Sequence, residues 1–213
     1  ISYDGNGGVK LSNFFRKSIY AIKHSNLKFL LNSDIHEDSQ IMYYRNISER
    51  VRKVAPFLKF DSDPYPVIHE GRIFWIQDTY TTSKNYPYSK PMSDSTNYIR
   101  NSIKIVIDGY NGDVKLYIID QDDPIAQTYK KIFPELFISG DELPDNLRAH
   151  LRYPKDLFSI QSELYSTYHM EDPVVFYNKE DLWNIPSENF AGNTIKVEPY
   201  YIMSKLPGND QEE

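Results

Sequence analysis

The pair Asn111-Gly112 constrains this chain more than any other feature. It sits between two β-branched and aromatic runs, Ile99 to Tyr110 and Asp113 to Asp120. A type I′ turn needs positive φ at both central residues, and Asn-Gly adopts that geometry readily, so the two runs are expected to fold back as an antiparallel hairpin. A further strand is predicted at Arg72 to Tyr80, after a Glu70-Gly71 turn, with Pro64 and Pro66 marking an extended entry. The 15-residue stretch 82–96 between the strands is polar and rich in Ser, Pro and Tyr. A loop of that length inside a folded region points to function or disorder.

Helical patterns flank this sheet region. After Ser12 as N-cap, Phe15, Ile19 and Ile22 recur at spacings of four and three and form one apolar stripe. Ile41, Tyr44, Ile47, Val51, Val54 and Leu58 predict a second helix, started by Asp38 or Ser39 and ended near Ala55 by Pro56. Downstream, Asp122-Asp123-Pro124 opens a segment running to Phe133. Pro154 opens another, with Leu157, Ile160, Gln161, Leu164, Tyr165 and Tyr168 in helical phase and His169 at its C-terminal end. Thr194 to Met203 reads as a closing strand. The order helices, hairpins, helices predicts an α+β fold, with an antiparallel sheet in the middle third and helices from both outer thirds packed on it. The expected bounds are helical 10–58, β-hairpins 61–120, helical 123–185 and a strand at 194–203.

Composition removes several chemistries. With no cysteine among 213 residues, there is no disulfide scaffold, thiolate metal site or cysteine nucleophile. A net charge of −6 argues against a nucleic-acid footprint. Neither a Gly-x-Ser-x-Gly elbow nor a phosphate loop is present. The five histidines, at 24, 36, 69, 150 and 169, show no zinc-binding spacing. Asp61-x-Asp63 and Asp120-x-Asp122-Asp123 supply oxygen ligands but not the twelve-residue calcium loop, and turn or cap roles account for them. No metal or cofactor is expected. No apolar run reaches the roughly 18 residues that span a bilayer.

Three constellations remain. Ile76-Gln77-Asp78-Thr79-Tyr80 and Val106-Ile107-Asp108-Gly109-Tyr110 share an apolar-x-Asp-x-Tyr pattern at predicted strand ends. On neighbouring strands, Asp78 and Asp108 would form the carboxylate pair that glycoside hydrolysis needs, about 5–10 Å apart in an open cleft. The plainer reading is that each carboxylate accepts hydrogen bonds from its own turn. Thr81, Tyr86 and Tyr88 lie in a stretch dense in hydroxyls and aromatic rings, which suits carbohydrate or peptide contact and equally suits closure over a core. His150 and Arg152 precede the helix opened by Pro154, whose free N–H groups and dipole favour an anionic group, with Arg152 as bidentate donor. Internal pairing of Arg152 with an aspartate is the alternative. The Asn46-Ile47-Ser48 sequon falls inside a predicted helix and is discounted.

A series of ordered motifs carries a resemblance. Arg45-Asn46-Ile47, Glu49-Arg50-Val51-Arg52, Ala55-Pro56-Phe57-Leu58, Asp61-x-Asp63-Pro64-Tyr65-Pro66-Val67 and Trp75-Ile76-x-Asp78-x-Tyr80-Thr81-Thr82-Ser83 belong to it. Tyr86-Pro87-Tyr88, Asn97-Tyr98-Ile99-Arg100-Asn101-Ser102, His150-Leu151-Arg152-Tyr153-Pro154 and Asp181-Leu182-Trp183 follow in order. Together they resemble uncharacterised protein family 0182, a family of large bacterial membrane proteins. A familiar Val-Asp-Ala-Tyr is here Ile107-Asp108-Gly109-Tyr110. The resemblance implies a multi-pass membrane bundle followed by a large soluble region outside the membrane, of which this chain matches the first part. It assigns no catalytic residues, because no activity is established for the family.

The expectation is therefore a fragment of an extracytoplasmic region, attached to a cell membrane through a part absent from this chain. It is expected to bind an anionic or carbohydrate envelope ligand, or a partner chain, through Thr81, Tyr86, Tyr88, Arg100, His150 and Arg152. A hydrolase using Asp78 and Asp108 is the rival reading. An incomplete core or exposed edge is expected near 194–207, and the oligomeric state is not readable.

Overall fold

The computed structural model describes residues 3–92 and 94–202. The fold is α+β, in two compact units: residues 1–60 with 64–151, and residues 61–63 with 152–213.

In the first unit, a two-stranded ribbon of β1 (Val9–Lys10) and β2 (Gln40–Ile41) brackets helices α1 (Phe14–Lys23) and α2 (Lys28–Leu31). Helix α3 (Ile47–Val54) leads into β3 (Lys59–Phe60), β4 (Tyr65–His69), β5 (Arg72–Ser83), β6 (Tyr98–Asp108) and β7 (Val114–Ile118). Helix α4 (Pro124–Ile132), β8 (Phe137–Ser139), a 3-10 turn at Gly140–Glu142 and α5 (Asp145–Arg148) complete it. The sheet order is β3-β5-β6-β7-β8, with β4 also paired to β5. All strands pair antiparallel except β7 and β8, which are joined through α4 and run parallel. This one parallel pair is an addition to the expected hairpin sheet.

Side-chain alternation gives the sheet two apolar faces. On one, Ile103, Ile105, Ile107, Leu116 and Ile118 meet Val51, Ala55 and Leu58 at the end of α3 and Ala126 of α4. On the other, Ile76, Val106 and Tyr117 pack with Tyr65, Val67, Leu143 and Leu147. Each such aliphatic side chain contributes about 1.5–3 kcal/mol on burial, which makes this two-faced sheet the stability centre of the unit.

The turns differ from expectation in an instructive way. The two-residue turn is at Glu70-Gly71, both with positive φ (50° and 72°), between the paired His69 and Arg72. At Asn111-Gly112 the hairpin forms, but only Gly112 has positive φ. The Asp108 carboxylate accepts the N–H of Tyr110 at 2.8 Å and of Asn111 at 3.3 Å, and Gly112 N–H donates to the Asp108 carbonyl. Side-chain capture of these amides replaces the type I′ turn by a wider one.

Both N-terminal helices start later than predicted. The α1 cap is Asn13, which accepts Arg16 N–H at 2.9 Å, one residue past the expected Ser12. The helix expected from Ile41 begins only at Ile47, because 40–41 pairs with β1 and Tyr44 takes positive φ. Asn46, the sequon asparagine, is its N-cap and accepts Glu49 N–H at 3.0 Å. The helix ends before Pro56, as predicted.

The second unit holds α6 (Lys155–Tyr168), α7 (Pro173–Asn178) and a hairpin of β9 (Ser187–Phe190) and β10 (Asn193–Lys196). Ala191 and Gly192 both have positive φ and form its turn. Helix α6 follows Pro154 and ends at His169, as the periodicity predicted. The His169 ring stacks on Trp183 with centroids 3.9 Å apart and lies 3.4 Å from the Asp181 carboxylate, which gives the Asp181-x-Trp183 motif its structural role. The expected strand 194–203 is cut short: β10 stops at Lys196, 197–202 is not strand, and Met203 lies outside the described residues. Both strands of the hairpin are exposed throughout.

Candidate functional site

Register decides the fate of the two aspartates. Asp78 pairs across the ladder with Lys104, and Asp108 with Phe74. The carboxylates share a sheet face but lie four positions apart along it, about 13 Å at strand rise. Asp78 is 2% exposed, forms an ion pair with Lys104, and accepts from the Asn101 amide at 3.2 Å. Asp108, 8% exposed, binds Arg72 at 2.7 Å besides the two turn amides. The open carboxylate pair is therefore not formed; Asp108 takes the plainer turn role, whereas Asp78 lies inside β5 rather than at its end and is held by Lys104 and Asn101 instead of a turn.

The predicted binding residues separate into different environments. Thr81 is buried, and its hydroxyl donates to Asp123 at 2.5 Å. Asp123 caps α4 through Ile125 N–H and also accepts from Ser102 and Tyr98. Burial alone would raise its pKa, but the Ser102 and Thr81 hydroxyls and the amides of Ile125 and Ala126 outweigh that and hold it below the ordinary value. Arg100 is ion-paired with Asp120. Tyr86 stacks on Tyr98 at 5.2 Å, whereas Tyr88 is fully exposed with positive φ. The loop around them is ordered by Asn97, whose side chain accepts from Tyr86 N–H at 3.0 Å and donates to its carbonyl at 2.8 Å. Asp94 in that loop pairs with Lys59 at 2.8 Å, which holds its carboxyl well below the usual carboxylate range.

The N-terminus of α6, the predicted anion dock, has an internal occupant. The Asp61 carboxylate accepts Asp156 N–H at 3.0 Å and Asp63 N–H at 3.0 Å, while Asp156 in turn accepts from the Ser62 amide and hydroxyl. Arg152 lies over the Tyr201 ring at 4.9 Å. His150 is exposed, in the first unit, and its carbonyl accepts from Tyr65. The second acidic cluster is engaged likewise: Asp120 accepts Asp122 N–H and pairs with Arg100. Among the described residues, no group of three or more His, Asp or Glu side chains is arranged to hold a metal.

Sequence reasoning missed the concave feature of the second unit. A groove of ≈ 850 Å³ runs along the face of α6 that carries Lys155, Phe158, Ser159 and Ser162. Its other wall is Ile185, Pro186 and residues 195–201, with the Tyr153, Tyr200 and Tyr201 rings. Lys155 reaches Glu198 at 3.1 Å across it, Val197 N–H donates to the Pro186 carbonyl, and Tyr201 hydroxyl donates to the Tyr153 carbonyl. That volume lies in the usual range for ligand sites. The helix periodicity exposed only the Leu157 side of α6. Nothing local in the sequence joins its opposite side to residues some 40 positions away.

Comparison with known proteins agrees with the motif resemblance. The model of the uncharacterised protein family UPF0182 matches residues 1–213. A UPF0182 protein of Pelotomaculum thermopropionicum is 49% identical over 212 residues, covering 100% of this chain and 23% of the relative. A UPF0182 protein of Methanospirillum hungatei is 51% identical over 217 residues, covering 99% and 24%. One from Trichodesmium erythraeum is 44% identical over 230 residues, covering 99% and 25%. No solved structure matches the chain. Among the described residues no helix is long and apolar enough to cross a membrane. The chain thus spans about a quarter of the length of the curated relatives it matches, and with the family model covering it from end to end, it belongs to the uncharacterised protein family UPF0182.

Proposed function

We propose that this chain is a non-catalytic binding module in the extracytoplasmic region of an integral membrane protein, and that its ligand is an envelope glycan held in the groove of the second unit. The observation that carries the reading is the lining of that groove: the aromatic residues Tyr153, Phe158 and Tyr200 beside Ser159 and Ser162 and the charged residues Lys155, Glu163 and Glu198. Apolar ring faces with hydrogen-bonding groups at their edges match the alternating apolar and hydroxylated surfaces of a sugar chain. The greater length of the relatives fits a module serving a larger assembly. The hydrolase reading has no support from Asp78 and Asp108, each already committed to a cation.

The test is titration of the chain with soluble glycan fragments of the cell wall, followed by tyrosine and tryptophan fluorescence and by calorimetry. Saturable binding is expected, weakened at least about tenfold by Phe158→Ala with Tyr200→Ala, since each removes a ring contact worth about 1 kcal/mol or more. Absence of binding, or binding untouched by these substitutions in variants with parental melting curves, overturns the reading.

A further inference from the structure

The stripe that should anchor α1 to the core points away from it. Phe15, Ile19 and Ile22, at i, i+4 and i+7, are 72%, 45% and 79% exposed. The helix packs instead through its other side: Ala21 is buried, Lys17 donates to the Ile35 carbonyl at 2.6 Å, and Tyr20 meets Tyr43 at 5.5 Å. Leu27 and Leu31, beside the short α2, are also exposed, at 68% and 80%.

Charge on this segment runs opposite to the chain as a whole. From Gly5 to Ser33 there is no Asp or Glu, but there are Lys10, Arg16, Lys17, Lys23 and Lys28, in a chain of net charge −6. None of these cations takes part in an ion pair among the described residues. Arg16 and Lys23, seven residues apart, flank the apolar stripe on one side of the helix. Arg16 donates to the Lys10 carbonyl at 3.2 Å and Lys23 lies over the Tyr43 ring at 4.5 Å, so neither charge is offset by a carboxylate. A short helix with an exposed Phe and Ile face, bordered by such cations, has the pattern of a segment lying in a bilayer interface, its rings at the acyl boundary and its cations among phosphates.

We propose that the α1–α2 segment is an interfacial anchor that binds the surface of an anionic phospholipid bilayer, without spanning it. The inference uses neither the groove nor its ligand, so either can fail alone. Apolar burial and phosphate pairing act together here, because a single short apolar face gives only marginal, reversible attachment.

The experiment is sedimentation of the 213-residue chain with vesicles of phosphatidylglycerol and phosphatidylcholine, and with vesicles of phosphatidylcholine alone. Binding to the anionic vesicles is expected, weak on the neutral ones and reduced by high salt. Arg16→Gln with Lys23→Gln should lower the affinity about 25-fold, from roughly fivefold per cation near an anionic surface. Phe15→Ser with Ile22→Ser should lower it at least about tenfold. Because the chain has no cysteine, Phe15→Cys carries a single environment-sensitive dye whose emission should shift to the blue on anionic vesicles. The same dye at Tyr88→Cys should not shift. This second readout decides the matter if the serine variant fails to fold. Equal binding to neutral vesicles, a dye at position 15 that stays in water, or self-association abolished by the serine variant, which would name a second copy as the occupant, overturns the proposal.

Discussion

The two units teach different lessons about what holds this chain. In the first, the sheet is covered on both faces, and five aliphatic side chains of β6 and β7 are fully enclosed. In the second, burial among the described residues is confined to Asp61, Pro154, Leu157 and Met170, while Phe190, Tyr200 and Ile202 stand 63–77% exposed. Its order comes from caps and stacks: Asp61 on α6, Asp172 on α7, Trp183 on His169. Contacts of this kind are worth about 1 kcal/mol apiece, against several for a buried aliphatic residue. The second unit should therefore open at much lower free energy than the first.

The largest effect that can break this contrast lies at the buried ion pair. Lys104→Met removes the Lys104 cation from the Asp78 carboxylate and should cost about 3–5 kcal/mol of unfolding free energy in the first unit, read from denaturant titration. A loss below 1 kcal/mol would mean the sheet face is wetter than it looks. Next comes Asp123→Ala, which removes the α4 cap and the carboxylate that the buried Thr81 and Ser102 hydroxyls share, for about 2–4 kcal/mol by thermal or urea unfolding. This site also carries a pH signature. Its folded pKa lies below the ordinary 3.8, so its contribution is complete above that value and fades as pH falls through the folded pKa. Asp123→Asn should flatten the decline in stability below about pH 4, and an unchanged acid slope counts against the hydroxyl cage.

Smaller effects probe the second unit. Trp183→Ala should cost about 0.5–1.5 kcal/mol and accelerate amide exchange in α6 while leaving that of β6 unchanged. Coupled loss of protection in β6 would erase the distinction between the units. Ala191→Gly should give the least, a gain of up to about 1 kcal/mol in protection of the β9–β10 amides, because Ala at positive φ is strained and Gly is not.

Sequence made the sheet legible where side-chain chemistry and backbone agreed. Arg72 to Tyr80, the 98–118 hairpin, Asp123-Pro124 and the helix after Pro154 all combine a periodic apolar pattern with a turn or cap residue. It failed where one signal overrode another. Asn111-Gly112 read as a two-residue turn because the Asp108 side chain, which claims the turn amides, has no vote in a dipeptide rule. The Phe15, Ile19 and Ile22 stripe was visible as a stripe, but periodicity reports amphipathicity and not which side meets protein. Of the candidate site, the individual residues were visible but not their partners. Asp78 with Lys104, Thr81 with Asp123 and Asp61 with the α6 amides are separated by 26, 42 and 95 positions at most in sequence, and no local pattern announces them. The UPF0182 motifs were legible because they recur in order along the whole chain.

Strand β5 borders two partners end to end, β4 along residues 72–76 and β3 along 79–80. Between those partners the chain leaves to supply residues 61–63 to the second unit and then returns. The polypeptide therefore passes from one unit to the other three times. A chain ended after Leu151 would keep Asp61 but lose the Asp156 amide it accepts, and a single protease cut at 152 would sever only one of the three connections. The two units are interleaved along the sequence, so no single cut of this chain yields both of them whole.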